Sequence, residues 1–293
     1  MATVGQTMSI QKRKKPLGRY LIPALAFLGL VILAVPFVFP FFWILSSALQ
    51  TTTEQYSLPL TWWPKIPQWH NFIVAWKTMP FGLYLWHSVV LVFFVTLGTV
   101  LTSALCAYGF ARIRFWGRNV IFMAVMATLM LPSTVTLIPL YLIMKHLGWL
   151  DTYYPLIVPA FFGGGGYNIF LLRQFMLGIP QELEAAARID GASRFGLFYR
   201  IMLPSMKPAL AVVAWGAIVG TWSDFMLPLV YLTSIKKLTF TLGLYALSQA
   251  SYSGWANQLT MAMSIISMLP VIIGFFFVQG WLIEGINLTG LSR

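Results

Sequence analysis

The sequence predicts an all-α membrane protein with six transmembrane helices, and three observations lead to this fold class. Of the 293 residues, 59% are hydrophobic and only 9% are charged. So few charges cannot cover the surface of a soluble protein of this length. The apolar residues also gather into stretches that are long enough to cross a bilayer. Shorter polar segments separate these stretches and carry most of the charged residues.

The first apolar stretch predicts an uncleaved membrane helix. It runs from Tyr20 to Leu49 without a charged residue and follows a basic tail, residues 1–19. The apolar region of a secretory signal peptide is much shorter than this stretch. The segment that follows, up to residue 83, contains several prolines and tryptophans. This composition predicts an external loop with aromatic side chains at the membrane interface, so residues 20–83 comprise the first helix and its loop.

Five further spans are predicted in a core that covers residues 84–283, and a polar tail, residues 284–293, follows it. Pro132 and Pro139 are predicted to break the third span, because a proline cannot donate a helical hydrogen bond. The glycine run 163–166 predicts close helix packing or a local break, since the Gly-Lys-Ser/Thr of a phosphate-binding loop does not follow it. The five spans are residues 84–111, 119–144, 155–172, 209–232 and 261–283.

The basic residues predict the orientation of the chain in the membrane. Six spans place both termini on one side, and that side carries fourteen of the nineteen lysines and arginines. Because basic loops stay in the cytoplasm, both termini and the segment 176–207 are predicted to be cytoplasmic. The net charge of +12 is then explained by topology. We therefore predict no nucleic-acid partner.

The segment between the fourth and fifth spans is amphipathic, unlike its neighbours. The alanines after Glu184 favour a helix, and Gly191 predicts where that helix stops. Ser193 can cap a second helix, which Pro204 is predicted to end. The sequence therefore predicts a short helix, a sharp turn and a second short helix, lying in water against the membrane.

The same segment resembles the cytoplasmic EAA loop of permease subunits in ABC importers. The matching residues are Glu184-Ala185-Ala186, Gly191 and Ile201-x-Leu203-Pro204. Further segments are similar to maltose-type permeases of the sugar-importer branch, so that the resemblance covers about residues 20–293. These segments are 107–112, 130–132, 138–139, 170–175, 222–225 and 269–270. The resemblance implies the fold of a type I ABC importer permease, and a transport subunit rather than an enzyme.

The resemblance also implies partners and site residues. Glu184–Gly191 would form a coupling helix in a cleft of an ATPase subunit, and Glu184 would pair with a basic residue there. Two ATPase subunits would hold ATP and Mg, so no cofactor is expected in this chain. A second homologous permease and an extracytoplasmic substrate-binding protein, contacted by the external loop 233–260, would complete the importer. The tail 287–291 would also touch the ATPase. The expected ATPase-coupling residues are Glu184, Ala185, Ala186, Asp190, Gly191, Leu203 and Pro204.

Asp224 is the one acidic residue inside a predicted span. A carboxylate at that depth costs about 2.5–3.5 kcal/mol, so we expect it to face protein or water rather than lipid. Asp224 and Trp222 are therefore candidates for the translocation path or for the interface with the second permease. The alternative is a buried hydrogen bond that sets helix packing. The family usually has asparagine where this chain has Ser223.

Two other classes of function are open at this point. A secondary transporter driven by an ion gradient would need more intramembrane acids or interrupted helix pairs. A membrane-embedded enzyme would need clustered polar residues, and the sequence has no HExxH, CxxC, GxSxG or Walker motif. His70, His87 and His146 lie far apart in sequence and are interpreted as interfacial residues. The predicted function is ATP-driven import of a sugar or oligosaccharide, with a solute such as glycerol phosphate as the alternative cargo.

Overall fold

A computed structural model describes residues 18–252 and 257–290, and every regular element in these two ranges is helical. Four helical segments are long and apolar enough to cross a membrane, and two bent helix pairs raise the number to six if each pair is one span. The four segments are Leu25–Ala48, Phe81–Arg112, Tyr154–Leu177 and Asn257–Leu282. Most of the predicted N-terminal tail and the last three residues of the C-terminal tail lie outside the described residues.

Fifteen α-helices follow one another in the described ranges, with two short 3₁₀ helices and one π helix among the segments that join them. They are α1 (Gly18–Ala48), α2 (Thr52–Gln55), α3 (His70–Thr78), α4 (Phe81–Arg112), α5 (Arg118–Thr128), α6 (Ser133–His146), α7 (Tyr154–Ile157), α8 (Gly166–Leu177), α9 (Gln181–Ile189), α10 (Arg194–Leu197), α11 (Leu203–Ser205), α12 (Lys207–Ser223), α13 (Met226–Tyr231), α14 (Phe240–Tyr252) and α15 (Asn257–Gly290). The predicted first and second spans correspond to α1 and α4.

Helix α4 organises the bundle, because α8, α12 and α14 all pack against it. Its 32 residues make it roughly 48 Å long, so its two ends take part in separate cores. The first core surrounds Phe81 and Tyr84 at the start of α4 and includes Phe240 of α14 and Met263 of α15. The second surrounds Ala107 and Tyr108 at the end of α4, and its other buried members come from α4, from α8 and the residues just after it, from the segment 198–206 and from α12.

The outer surface of the bundle is strongly apolar. Helix α1 packs along α15, yet its middle is covered by exposed leucine, valine, isoleucine and phenylalanine side chains. An apolar surface of this extent would aggregate in water but suits the acyl chains of a bilayer. The bundle is therefore built to lie in lipid.

The third predicted span is broken sharply, and at one of the two predicted prolines only. Helices α5 and α6 meet at an angle of 101° across the residues that end at Pro132. Pro132 has an extended backbone and directly precedes α6, so the predicted break at this residue is confirmed. The predicted break at Pro139 is wrong, because Pro139 lies within the continuous helix α6. A proline removes one hydrogen bond from a helix interior, but neighbouring groups can compensate for it in a membrane protein.

The glycine run in the fourth span forms a break and a close approach, as predicted. Gly163, Gly164 and Gly165 have φ values of +97°, +65° and +92°, which residues other than glycine rarely adopt. A Cβ on Gly164 would lie 2.5 Å from the backbone carbonyl oxygen of Thr99 on α4. The run therefore interrupts the helical segment and brings its backbone against α4.

Three predicted boundaries in the last third of the chain are wrong. The fifth span does not continue to residue 232, because α12 ends at Ser223 and α13 begins after a break at Asp224. The predicted loop 233–260 is largely the helix α14, whose Phe240 and Leu242 are buried in the first core, whereas residues 253–256 lie outside the described residues. Helix α15 continues to Gly290, so most of the predicted polar tail extends the last helix.

Asp151 joins the segment before α7 to the segment after α13 by hydrogen bonds. Both segments lie at the end of the bundle that the topology prediction assigns to the outside. Its backbone is left-handed, with φ of 56°, and its carboxylate accepts hydrogen bonds from the backbone N–H groups of Thr233 and Ser234 at 3.1 and 2.9 Å. The Ser234 hydroxyl donates a third bond, and Lys237 Nζ lies 2.9 Å from Oδ2. These hydrogen bonds, led by those of Ser234, hold the pKa of Asp151 well below its ordinary value.

This network predicts a pH-dependent contribution of Asp151 to stability. Because the folded pKa is depressed, the stabilisation is fully present above the unfolded value of about 4 and is lost as the pH falls further. Asp151→Asn is therefore expected to unfold at a lower temperature than wild type at pH 7, and the difference should shrink below about pH 4. Thermal unfolding in detergent between pH 3 and 7 measures this difference. A difference that is constant over the whole range would contradict the charge-based explanation.

Candidate functional site

The amphipathic segment folds as the helix, turn and helix that its sequence predicts. Helix α9 ends in a Schellman arrangement, in which Gly191 has φ of +81° and Ala192 N–H bonds the Ala187 carbonyl at 2.9 Å. The hydroxyl of Ser193 then caps α10 by accepting a hydrogen bond from Gly196 N–H at 3.1 Å. Cap residues therefore define this turn, as the sequence analysis expected.

The second helix does not end at Pro204. Residues Phe198–Met202 form a π turn, and the helical path continues through α11 to Ser205 before it bends by 79° into α12. Pro204 has no N–H to bond the Arg200 carbonyl, and its ring crowds that group, which favours the wider π turn. Leu203 and Pro204 therefore lie in the last helical turn of the loop, α11.

Glu184 points into the protein, although the family resemblance implied that it pairs with a partner. It is 6% exposed, and its Oε1 lies 3.0 Å from Arg112 Nε in an ion pair that lacks the alignment of a hydrogen bond. Its Oε2 lies 3.4 Å from Arg188 Nη2, one helical turn later. The Glu184 carboxylate thus has two arginine partners within the chain, and its expected pairing with a basic residue of an ATPase stays a prediction.

Arg112 is a site residue that the sequence analysis did not single out. Its Nη2 donates hydrogen bonds to the carbonyl oxygens of Met176 and Ile179, the latter at 2.6 Å. One guanidinium thus joins the end of α4, the end of α8 and Glu184 of α9. The available signal was a basic residue at the end of an apolar span, within one of the segments that resemble the family. Its partners lie 64 to 72 positions away, which spacing cannot reveal.

The outward side of the loop presents large apolar side chains in an otherwise polar segment. Ile189 is 87% exposed, Phe195 71% and Tyr199 65%, and Leu183 is also exposed. The expected coupling residues Ala185, Ala186 and Asp190 are exposed as well. We call Leu183, Ile189, Phe195 and Tyr199 the apolar knob. Large exposed apolar side chains on a short charged loop are typical of a protein-binding surface.

Trp222 and Asp224 have structural contacts that favour the packing alternative. The buried Trp222 donates its indole N–H to the Ser267 carbonyl at 3.0 Å and stacks on Phe240 at 5.9 Å. Asp224 is half-buried, and its Oδ1 accepts a hydrogen bond from Leu227 N–H at 3.2 Å, at the start of α13. Trp222 therefore anchors α12 to α15 and α14, and Asp224 caps the next helix.

The described part of the chain contains no group of three residues that could hold a metal ion. The three histidines are not brought together. His87 lies 3.4 Å from the Leu238 carbonyl through its Nδ1, and its ring lies 5.2 Å from that of Tyr153. His87 therefore packs against neighbouring segments near the start of α4.

The family of the chain follows from comparison with known proteins. Residues 99–287 match the family described as binding-protein-dependent transport system inner membrane component, and the chain belongs to this family. It is thus a permease subunit of an ABC importer that depends on a binding protein. This membership agrees with the resemblance of the EAA loop, the name that we use below for residues 176–207.

Relatives match over nearly the whole chain. The arabinooligosaccharides transport system permease protein AraQ of Bacillus subtilis is 33% identical over 89% of this chain and 93% of its own length. The sn-glycerol-3-phosphate transport system permease protein UgpE of Yersinia enterocolitica is 30% identical over 88% of this chain and 93% of its own. A chain in the crystal structure of a bacterial ABC transporter that imports alginate, an acidic polysaccharide, has the same fold. Its TM-score is 0.77 at 20% identity, and the match covers 92% of this chain and all of that one.

Proposed function

We propose that this chain forms half of the translocation pathway of an ATP-driven importer for a sugar or oligosaccharide. Family membership supports the transport role. AraQ is named for arabinooligosaccharides, and the structural neighbour belongs to an importer of a polysaccharide. UgpE is named for sn-glycerol-3-phosphate, which supports the alternative cargo. Uptake of labelled arabinooligosaccharides and of labelled glycerol 3-phosphate by cells that produce the importer would separate the two.

The proposed assembly contains this chain, a second homologous permease, two ATPase subunits that hold ATP and Mg, and an extracytoplasmic binding protein. The chain itself needs no cofactor. It lies in the bacterial or archaeal cytoplasmic membrane with six spans and both termini in the cytoplasm. The family description, inner membrane component, supports the location. The fourteen basic residues on the proposed cytoplasmic side support the orientation.

The EAA loop is the proposed connection to the ATPase subunits. The observation that carries this proposal is the apolar knob, which is exposed outward while Glu184 of the same helix is buried inward. Arg112 holds α9 against the ends of α4 and α8, so a partner that displaces the knob displaces two spans with it. Rigid-body motion of this kind can switch a permease pair between inward-facing and outward-facing states.

Ile189→Asp is expected to release the ATPase subunits without unfolding the chain. Burying an isoleucine side chain contributes about 1.5–3 kcal/mol, so its loss weakens an interface about ten- to hundredfold. The permease pair would be purified with its ATPase subunits in lipid, and ATPase retention and ATP hydrolysis with binding protein would be measured. We expect both to fall for Ile189→Asp.

Ile66→Asp is the matched control, since Ile66 is 71% exposed and lies on the predicted external loop. This control should retain the ATPase subunits at the wild-type level. Equal retention by both variants would show that the apolar knob is not the docking surface, although membership of the permease family would stand.

A further inference from the structure

A polar cavity of about 790 Å³ lies between the end of α4, the link 113–117 and the helices α9 and α10. Five arginines and two glutamates line it. Arg112 and Arg188 share Glu184, whereas Arg114, Arg118 and Arg194 have no carboxylate oxygen within 4 Å in the part of the chain that the structure describes. Three guanidinium groups without a carboxylate partner therefore border one accessible cavity, and Arg118 Nε donates a long hydrogen bond of 3.4 Å to Asn119 Oδ1.

An arginine cluster of this kind suits a phosphate group. The guanidinium is planar and donates two parallel hydrogen bonds to phosphate oxygens, which a lysine cannot do. Like charges that converge on one cavity also repel one another, and a bound anion removes that repulsion. The chemistry of the lining therefore indicates a ligand with at least one phosphate.

The cavity borders the end of a candidate membrane span, and phospholipid headgroups surround the ends of such spans. Arg112 is the last residue of the candidate span that α4 forms, and Arg118 is the first residue of α5. Trp116, between them, is 98% exposed, and tryptophan at a span end is typical of the membrane interface. A second cavity, of about 390 Å³, shares Arg114 and Arg118 with the first and extends to Val120.

Helix α5 offers a path for the acyl chains of the same ligand. Val120 and Met123 are 65% and 61% exposed on its first turns, directly after Arg118. A headgroup that is held by Arg114 and Arg118 could therefore extend its acyl chains along an apolar helix surface. A soluble anion has no acyl chains and would not contact this apolar surface.

We infer that this cavity binds the phosphodiester headgroup of an anionic phospholipid, with Arg114 and Arg118 as its main contacts and Arg194 as a third. Such a lipid would bridge the α4–α5 link and α10 of the EAA loop. It would therefore steady the loop from the membrane side, while the apolar knob faces away. The inference goes beyond the proposed function and depends on neither the cargo nor the docking surface of the ATPase.

The test uses the complete importer in nanodiscs of phosphatidylcholine that contain a minor fraction of phosphatidylglycerol. Native mass spectrometry would count the phosphatidylglycerol molecules that stay bound to wild type and to the double variant Arg114→Gln/Arg118→Gln. Basic residues at a membrane surface each contribute about fivefold to anionic lipid binding, so we expect about a twenty-five-fold loss in the double variant. Wild type should not retain phosphatidylcholine in the same way.

The matched control is Arg200→Gln/Lys207→Gln, which removes the same charge from exposed residues that do not line the cavity. A third variant, Arg114→Lys/Arg118→Lys, keeps the charge and should retain the lipid partly, which separates lipid loss from misfolding. Equal phosphatidylglycerol retention by wild type and the glutamine variant would overturn the inference. So would a loss of ATPase subunits from the glutamine variant in pure phosphatidylcholine, because the cavity would then hold an acidic segment of the ATPase.

Discussion

Arg112→Ala is expected to destabilise the chain and uncouple ATP hydrolysis from the binding protein, whereas Arg188→Ala should do neither. Both arginines pair with Glu184, but the side chain of Arg112 is 5% exposed and that of Arg188 is 59% exposed. Removing one partner of a buried ion pair typically costs about 3–5 kcal/mol, because the other charge stays buried without compensation. An exposed pair one helical turn apart contributes only about 0.3–0.5 kcal/mol.

The two variants therefore form a matched pair on one carboxylate. Arg112→Ala also removes the donor that satisfies the Met176 and Ile179 carbonyls, so the end of α8 is affected as well. Thermal unfolding in detergent measures the stability, and ATP hydrolysis by the complete importer with and without binding protein measures the coupling. We expect a lower unfolding temperature and little stimulation for Arg112→Ala only. Similar behaviour of the two variants would mean that burial does not decide the strength of this pair.

A double-mutant cycle separates the ion pair from the other contacts of Arg112. Arg112 Nε lies 3.0 Å from Glu184 Oε1, so the two side chains should interact directly. Glu184→Ala should then lower the free energy of unfolding less in an Arg112→Ala background than in wild type. Arg112→Lys adds a geometric control, because lysine keeps the charge but cannot reach Glu184 and two carbonyls at once. Strictly additive effects of the two alanine variants would argue against a direct interaction.

The role of Glu184 changes with this geometry. The family resemblance implied a contact with the ATPase, but the carboxylate holds α9 against α4 from the inside. We therefore propose that Glu184 positions α9 and that exposed neighbours such as Ile189 contact the ATPase. Loss of ATPase retention in Ile189→Asp, without loss of stability, would distinguish contact from positioning.

Local signals in the sequence were sufficient for the turn of the EAA loop. Gly191 and Ser193 act on backbone groups within five positions, so a helix stop and a cap can be identified from neighbouring residues alone. The first two spans could be predicted equally well, since few structures other than a membrane helix contain a charge-free stretch of bilayer length.

Contacts between distant residues were beyond this kind of reasoning. Glu184 meets Arg112 across 72 positions, and hydrophobicity gives no sign that a glutamate on an amphipathic helix is turned inward. Asp224 was placed inside a span because composition does not show that a backbone break at this residue lets its carboxylate cap the next helix. Phe240 and its neighbours were assigned to an external loop, since polar residues around them concealed a buried helix face.

Gly164→Ala is expected to be far more destabilising than the same change at Gly163. Both glycines have positive φ, and a residue held in such a conformation costs about 1–3 kcal/mol, so this strain is common to the two variants. The surroundings differ. A Cβ on Gly163 would meet the Ile169 Cδ1 at 3.7 Å, which is an ordinary contact, whereas one on Gly164 would lie 2.5 Å from the Thr99 carbonyl oxygen.

The Thr99 carbonyl is a backbone atom of α4 and cannot rotate away as a side chain can. Alanine at position 164 must therefore push the break before α8 away from α4, and overpacking of this kind adds about 1–3 kcal/mol. Thermal unfolding of both variants in detergent, with yield after membrane extraction, measures the difference. Equal unfolding temperatures for Gly163→Ala and Gly164→Ala would mean that α4 and the glycine run are further apart than this structure has them. The connection from the EAA loop through α8 to α4 would then depend on Arg112 and on the second core.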